Sequence, residues 1–111
     1  MRPVRLSVGA QADSAVIPMD IYQDPFNVSI GVVLSAGASL TYSVQHTFDD
    51  VFAKDFNPAT ATWFTNSGLS AKTTSLDGNY TLPVTGIRLS VTVYASGTAT
   101  MTVIQAGMPG R

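Results

Sequence analysis

His46 is the single histidine of this 111-residue chain, which contains no cysteine and no glutamate. Any general acid–base or Ser/His/Asp chemistry would have to use it. It follows Leu40, Tyr42 and Val44 at a spacing of two, with Phe48 next in phase, so it falls at the end of an apolar strand face. No G-x-S-x-G turn or other nucleophile motif accompanies it. A histidine satisfied by its neighbours at a strand end is the expectation.

Asp49, Asp50, Asp55 and Asn57 form the densest group of oxygen ligands, the type a hard cation such as Ca²⁺ takes in sets of about 6 to 8. Their spacing is not that of an EF-hand loop, no glutamate is present to bind through both oxygens, and Lys54 lies among them. A solvated turn, or caps for the following loop, fits better, and no metal or cofactor is expected. The absence of cysteine removes disulfides, thiolate metal sites and a thiol nucleophile together. The nine glycines form neither a G-x-G-x-x-G nor a Walker loop. The sequons at Asn27 and Asn79 carry no weight without a secretory signal. Nothing in these residues supports an enzyme.

Aromatic residues crowd the same stretch: Phe48, Phe52, Phe56, Trp63 and Phe64. Basic residues are too sparse for a stacking platform on single-stranded nucleic acid. As large fillers they are expected mainly in the core, with some acting as anchors in a protein–protein contact.

The elements that must position these groups read as strands. Ile87, Leu89, Val91, Val93 and Ala95 alternate with polar residues, and after Ser96-Gly97 the alternation resumes with Ala99, Met101 and Val103. The short polar link predicts a β-hairpin. Phe26, Val28, Ile30, Val32 and Leu34 share one face, and beyond Ser35-Ala36-Gly37 the spacing continues through Leu40, Tyr42, Val44 and His46, predicting a second hairpin. Shorter strands are expected over Val4 to Val8, Val16 to Tyr22 and Asn79 to Val84. One helical turn fits Asn57 to Phe64, with Asn57 as cap and Pro58 at the first helical position. A long connection spans about 48–75. The sum is an all-β chain, an antiparallel β-sandwich in a single domain over 1–111 with short terminal arms.

Charge is scarce: 12% of residues against about 25% in ordinary globular proteins. A surface so poor in charge suits burial against other protein subunits. The six basic residues are scattered, so no phosphate-neutralising face for nucleic acid forms. No apolar run reaches the roughly 20 residues of a membrane span, and the first twenty residues do not read as a signal peptide. Synthesis in the cytoplasm is expected.

The stretch Tyr42-Ser43-Val44-Gln45-His46-Thr47-Phe48-Asp49-Asp50, continued by Phe56-Asn57-Pro58-Ala59-Thr60-Ala61-Thr62-Trp63-Phe64, resembles small virion proteins of tailed bacteriophages. The opening Arg2-Pro3-Val4-Arg5 and the closing Met101-Thr102-Val103-Ile104-Gln105-Ala106-Gly107 fit the same pattern. Size and strand content are most similar to the capsid decoration, or cement, proteins of short-tailed, epsilon-fifteen-like phages. That resemblance implies a jelly-roll-like sandwich on the outer capsid surface that ties neighbouring major capsid protein subunits together, as a homodimer. Two other readings remain open. One is a tail or head-tail connector component; the other is a virion-surface carbohydrate-binding module using Trp63 and Tyr94 with Asp49 or Asp50. The residues expected at a protein interface are Arg2, Arg5, Phe52, Phe56 and Arg111.

Overall fold

The computed structural model describes residues 3–22 and 26–105, so Arg2 and Arg111 lie outside the described residues. The strands are β1 (Val4–Val8), β2 (Ile17–Pro18), β3 (Val28–Leu34), β4 (Ser39–Thr47), β5 (Phe64–Thr65), β6 (Leu76–Tyr80), β7 (Gly86–Ser96) and β8 (Ala99–Gln105), with a 3-10 turn at Ser67–Leu69. They form two four-stranded sheets, ordered β1-β8-β3-β6 and β2-β7-β4-β5, and every pairing is antiparallel. First pairs with last, second with seventh, third with sixth and fourth with fifth. This nesting is a chain folded into one long hairpin and then rolled, the jelly-roll form of the β-sandwich.

Neither predicted hairpin forms. β3 and β4 belong to different sheets, as do β7 and β8, so the links at 35–38 and 97–98 are crossovers. The reason is geometric: the three peptide units from Ser96 to Ala99 reach about 10 Å, close to the roughly 10 Å between stacked sheets. A short link can therefore serve either topology, and burial of both apolar faces selects the crossover.

One core lies between the sheets. From β3 and β8 come Val28, Ile30, Val32, Met101 and Val103, and from the facing sheet Tyr42, Val44, Ile87 and Leu89, all buried. The alternation read along β3, β4 and β8 is borne out. In β7 it holds only to Val91, because the β4–β7 register shifts between Thr41 and Tyr42. That bulge inserts Thr92 and reverses the phase. Val93, expected inside, is exposed, and Tyr94 packs on the core instead.

Other boundaries also move. Only Ile17–Pro18 of the expected Val16–Tyr22 strand is laddered; Met19 N–H still bonds the Thr85 carbonyl, and the Asx turn at Asp20 ends the extended run. The strand expected over Asn79–Val84 lies at Leu76–Tyr80, where a polar sequence is accepted because it forms a sheet edge beside β3. The long connection contains β5 and the 3-10 turn, and Lys72 and Tyr42 exchange backbone hydrogen bonds of 2.8 and 2.9 Å. Leu69, at the end of that turn, is fully buried and meets Gly78, where an added Cβ would stand 2.9 Å from Leu69 Cδ1. It closes the open side of the sandwich between β4 and β6. The helical stretch expected from Asn57 is a single turn: Ala61 N–H donates to the Asn57 carbonyl at 3.0 Å, and the Asn57 side chain accepts from Ala59 N–H at 3.0 Å. Among the described residues no helix is long and apolar enough to cross a membrane.

Candidate functional site

Segments 19–22, 48–63 and 81–85 meet at one end of the sandwich, and short polar contacts hold them there. Thr47 is fully buried; its hydroxyl donates to the Thr62 carbonyl at 2.8 Å and accepts from Asp49 N–H at 3.1 Å. Thr85 ties in by donating its hydroxyl to the Thr47 carbonyl at 2.8 Å, while its own carbonyl accepts from Met19 N–H at 3.0 Å. Gln105, buried at the end of β8, accepts from Asp20 N–H at 2.9 Å and donates to the Asp20 carbonyl at 2.7 Å. Asp20 and Asp50 each accept from the N–H two residues on, those of Tyr22 and Phe52, at 3.0 Å. These Asx turns fix where two aromatic residues leave the backbone.

Between the segments lies a groove of about 720 Å³, lined by Met19, Ile21, Tyr22, Phe48, Val51 and Phe52 among others, with Asp20 and Asp50 as the charged lining residues among those described. Tyr22 is 85% exposed, Phe52 77% and Phe48 58%. Leu82, on the neighbouring β6–β7 loop, is also exposed. Large apolar side chains gathered this way differ from the singly scattered ones usual on a small protein's surface.

His46 sits beside this groove, bridging the two sheets. Its Nδ1 is 2.8 Å from the Tyr80 hydroxyl, and its ring contacts Phe48, Phe64 and Tyr80 at centroid distances of 5.5, 6.0 and 5.0 Å. Burial lowers its pKa from the ordinary histidine value and raises that of the Tyr80 phenol, against a hydrogen bond from Asn66. The expected satisfied histidine is what the structure holds, with Tyr80 as its hydrogen-bond partner.

Trp63 and Arg88 form a second assembly on the outer face of β7. The guanidinium lies 4.0 Å from the centre of the indole, its Nε donates to Gln45 at 2.8 Å, and it pairs with Asp13 at 3.3 Å. The indole N–H donates to the Pro58 carbonyl at 2.9 Å. Burial lowers the Arg88 pKa, with Asp13 acting in the opposite direction. One face of Trp63 is thereby occupied. Tyr94 lies six residues along β7 from Arg88, about 20 Å at strand rise. Trp63 and Tyr94, taken together as a sugar site in the sequence reading, do not assemble into one.

The structure places the interface candidates apart. Phe52 lines the groove. Phe56 is half-buried in the adjoining hollow with Asp49, Asp50 and Asp55. Arg5 is exposed on edge strand β1, its Nε 3.3 Å from the Thr102 hydroxyl. It belongs to the outer face of the β1-β8-β3-β6 sheet, where the row Arg5, Thr102, Gly31, Asp77 runs from edge to edge between rows of serine, threonine, asparagine, valine and isoleucine. In the acidic cluster, Asp49 accepts from Thr62 N–H at 2.9 Å, so its carboxylate caps the loop as a turn residue would. Among the described residues, no three His, Cys, Asp or Glu side chains gather where they could hold a metal. Ile21 and Tyr22 fall in the strand expected over Val16 to Tyr22 and are not among the expected interface residues; the signal for a site was two large apolar residues directly after Asp20.

A comparison with protein-family models finds no match for this chain, and a comparison with curated proteins finds none either.

Proposed function

We propose that this protein is a non-enzymatic capsid decoration, or cement, protein that binds the outer surface of a phage head and clamps neighbouring major capsid protein subunits. The observation that carries the reading is the exposed aromatic groove at one end of a sandwich with so few charges. Such a surface lies against protein at low desolvation cost, because few ions must leave water. The jelly roll agrees, being an architecture used on viral capsids as well as in lectins, and the sequence resemblance points to the same role. Binding that only the assembled shell offers stabilises that shell. Many copies on one particle act together, so each contact can be weak.

Imaging purified particles tests the reading. Copies spread over the whole head surface are the expected result. A single ring at one vertex would overturn it in favour of a head-tail connector. Heads lacking the protein are expected to release DNA at lower temperature than decorated heads, and equal survival would count against clamping.

A further inference from the structure

We propose that the groove between segments 19–22 and 48–53 is a docking site for a short apolar peptide segment carrying lysine or arginine. The cement reading identifies the protein that supplies the segment, the shell subunit, and in that respect the proposal rests on it. The chemistry of the segment comes from the groove itself.

The first argument is area. Aromatic side chains bury about 150–250 Å² each, so Tyr22, Phe48 and Phe52 at 85%, 58% and 77% exposure present on the order of 400 Å². That reaches the size of the largest apolar patch on a typical monomer, often a functional one. It is about half of the roughly 800 Å² that each partner contributes to a stable protein–protein interface. A segment laid into a groove fits that area better than a second globular face does.

Charge sets the second constraint. The groove's charged lining residues are Asp20 and Asp50, and both carboxylates are held in place by the Asx turns that aim Tyr22 and Phe52. In a two-fold dimer built on this patch both partners present the same surface, so the two carboxylates of each copy would gain no basic complement from the other. A segment bearing a basic residue instead meets them with complementary charge.

This chain's own residues 106–111, which include Met108, Pro109 and Arg111, also have suitable chemistry and are the alternative occupant that the test distinguishes. A segment held in place by its own folded protein pays less of the entropy cost of docking than a free chain end or a free peptide does.

The test uses three fluorescent heptapeptide probes: one of leucine, proline and alanine flanked by lysines, one flanked by glutamates, and a lysine-flanked one with serine for leucine. The lysine-flanked apolar peptide is expected to bind at least tenfold more tightly than either other probe. The double variant Asp20→Asn/Asp50→Asn, which keeps an oxygen to accept at each turn, should lose most of the lysine-over-glutamate preference. Phe52→Ser, at an exposed position, should weaken all binding at least tenfold with thermal stability unchanged. Equal affinity for the lysine and glutamate probes, or unaltered binding by Phe52→Ser, would overturn the proposal. So would a tenfold gain in affinity on deleting residues 106–111, which would make that segment the occupant, or a dimer that Phe52→Ser dissociates. Binding of the same variants to purified undecorated heads separates the two readings. Heads that take up both variants as well as the unaltered protein remove the groove but not the cement role. Peptide selectivity without any head binding removes the cement role but leaves the groove.

Discussion

The protonation of His46 is set by what surrounds the ring. Packed against Phe48, Phe64 and Tyr80, it is harder to protonate in the folded protein than in the unfolded chain, whose value is near 6.5. The unfolded state therefore takes up the proton first as pH falls, and stability drops. This contribution is full above pH 6.5 and is lost progressively below it, through the lowered folded pKa. Tyr80 acts at the opposite end: its raised pKa means stability is lost as pH rises past about 10, where the unfolded phenol ionises first. Because the chain has one histidine and no glutamate, a fall in urea midpoint between pH 7 and pH 5 reports chiefly on His46. In His46→Gln that slope is expected to vanish. A slope of equal size in the variant would show that the ring is not its source.

The elements of this fold are governed by their links. Gly97, in the two-residue crossover from β7 to β8, has φ of 95°, and an added Cβ would overlap Ala38 Cβ and lie 2.7 Å from its Cα. Ser35 completes the contact, its backbone N–H donating to the Thr98 carbonyl at 2.9 Å and its hydroxyl accepting from Thr98 N–H at 3.0 Å. The two crossovers thus form one corner, and a change in either is felt by both. Gly97→Ala combines a left-handed backbone with backbone crowding, and a loss on the order of 2 kcal/mol is expected, measured as a shift in the denaturant midpoint. Ala substitution at Gly31, where an added Cβ meets nothing within 4 Å, should change the midpoint far less. Equal losses at the two sites would refute the corner argument. Strand pattern was legible in the sequence for β1, β3, β4 and β8, because each keeps one apolar phase throughout. β7 was legible only up to its bulge, since an inserted residue leaves composition unchanged and reverses the face.

At the scale of the molecule, almost every pairing joins strands distant in sequence, β1 to β8 most of all. Folding dominated by such contacts is slow, in the millisecond-to-second range, and gives the two sheets no independent core. Leu69 couples them, since it leaves the β5 side and fills the space beside Gly78 of β6. Leu69→Ala is expected to cost about 2–5 kcal/mol. Far-UV circular dichroism and Trp63 fluorescence should still report one shared transition at the lower midpoint. Two separated transitions would mean that the sheets unfold independently. The groove also belongs to this scale. Phe52 was legible as an interface candidate, whereas Phe48 and Phe64, expected as core fillers, are exposed; Tyr22 reaches Phe48 and Phe52 only because β2 and β4 flank β7 in the same sheet.

The sequence by itself determined the all-β class, the inward phase of most strands and the poverty of charge. These follow from residue types and from a period of two, which are local properties. Only the tertiary structure decided that both short links cross between sheets, that Trp63 is covered by Arg88 and stands apart from Tyr94, and that Tyr22, Phe48 and Phe52 share a groove with two carboxylates. The physical reason is that a short link can serve a hairpin or a crossover equally well. The choice is made by which apolar faces must bury one another, and that choice sets which exposed residues become neighbours.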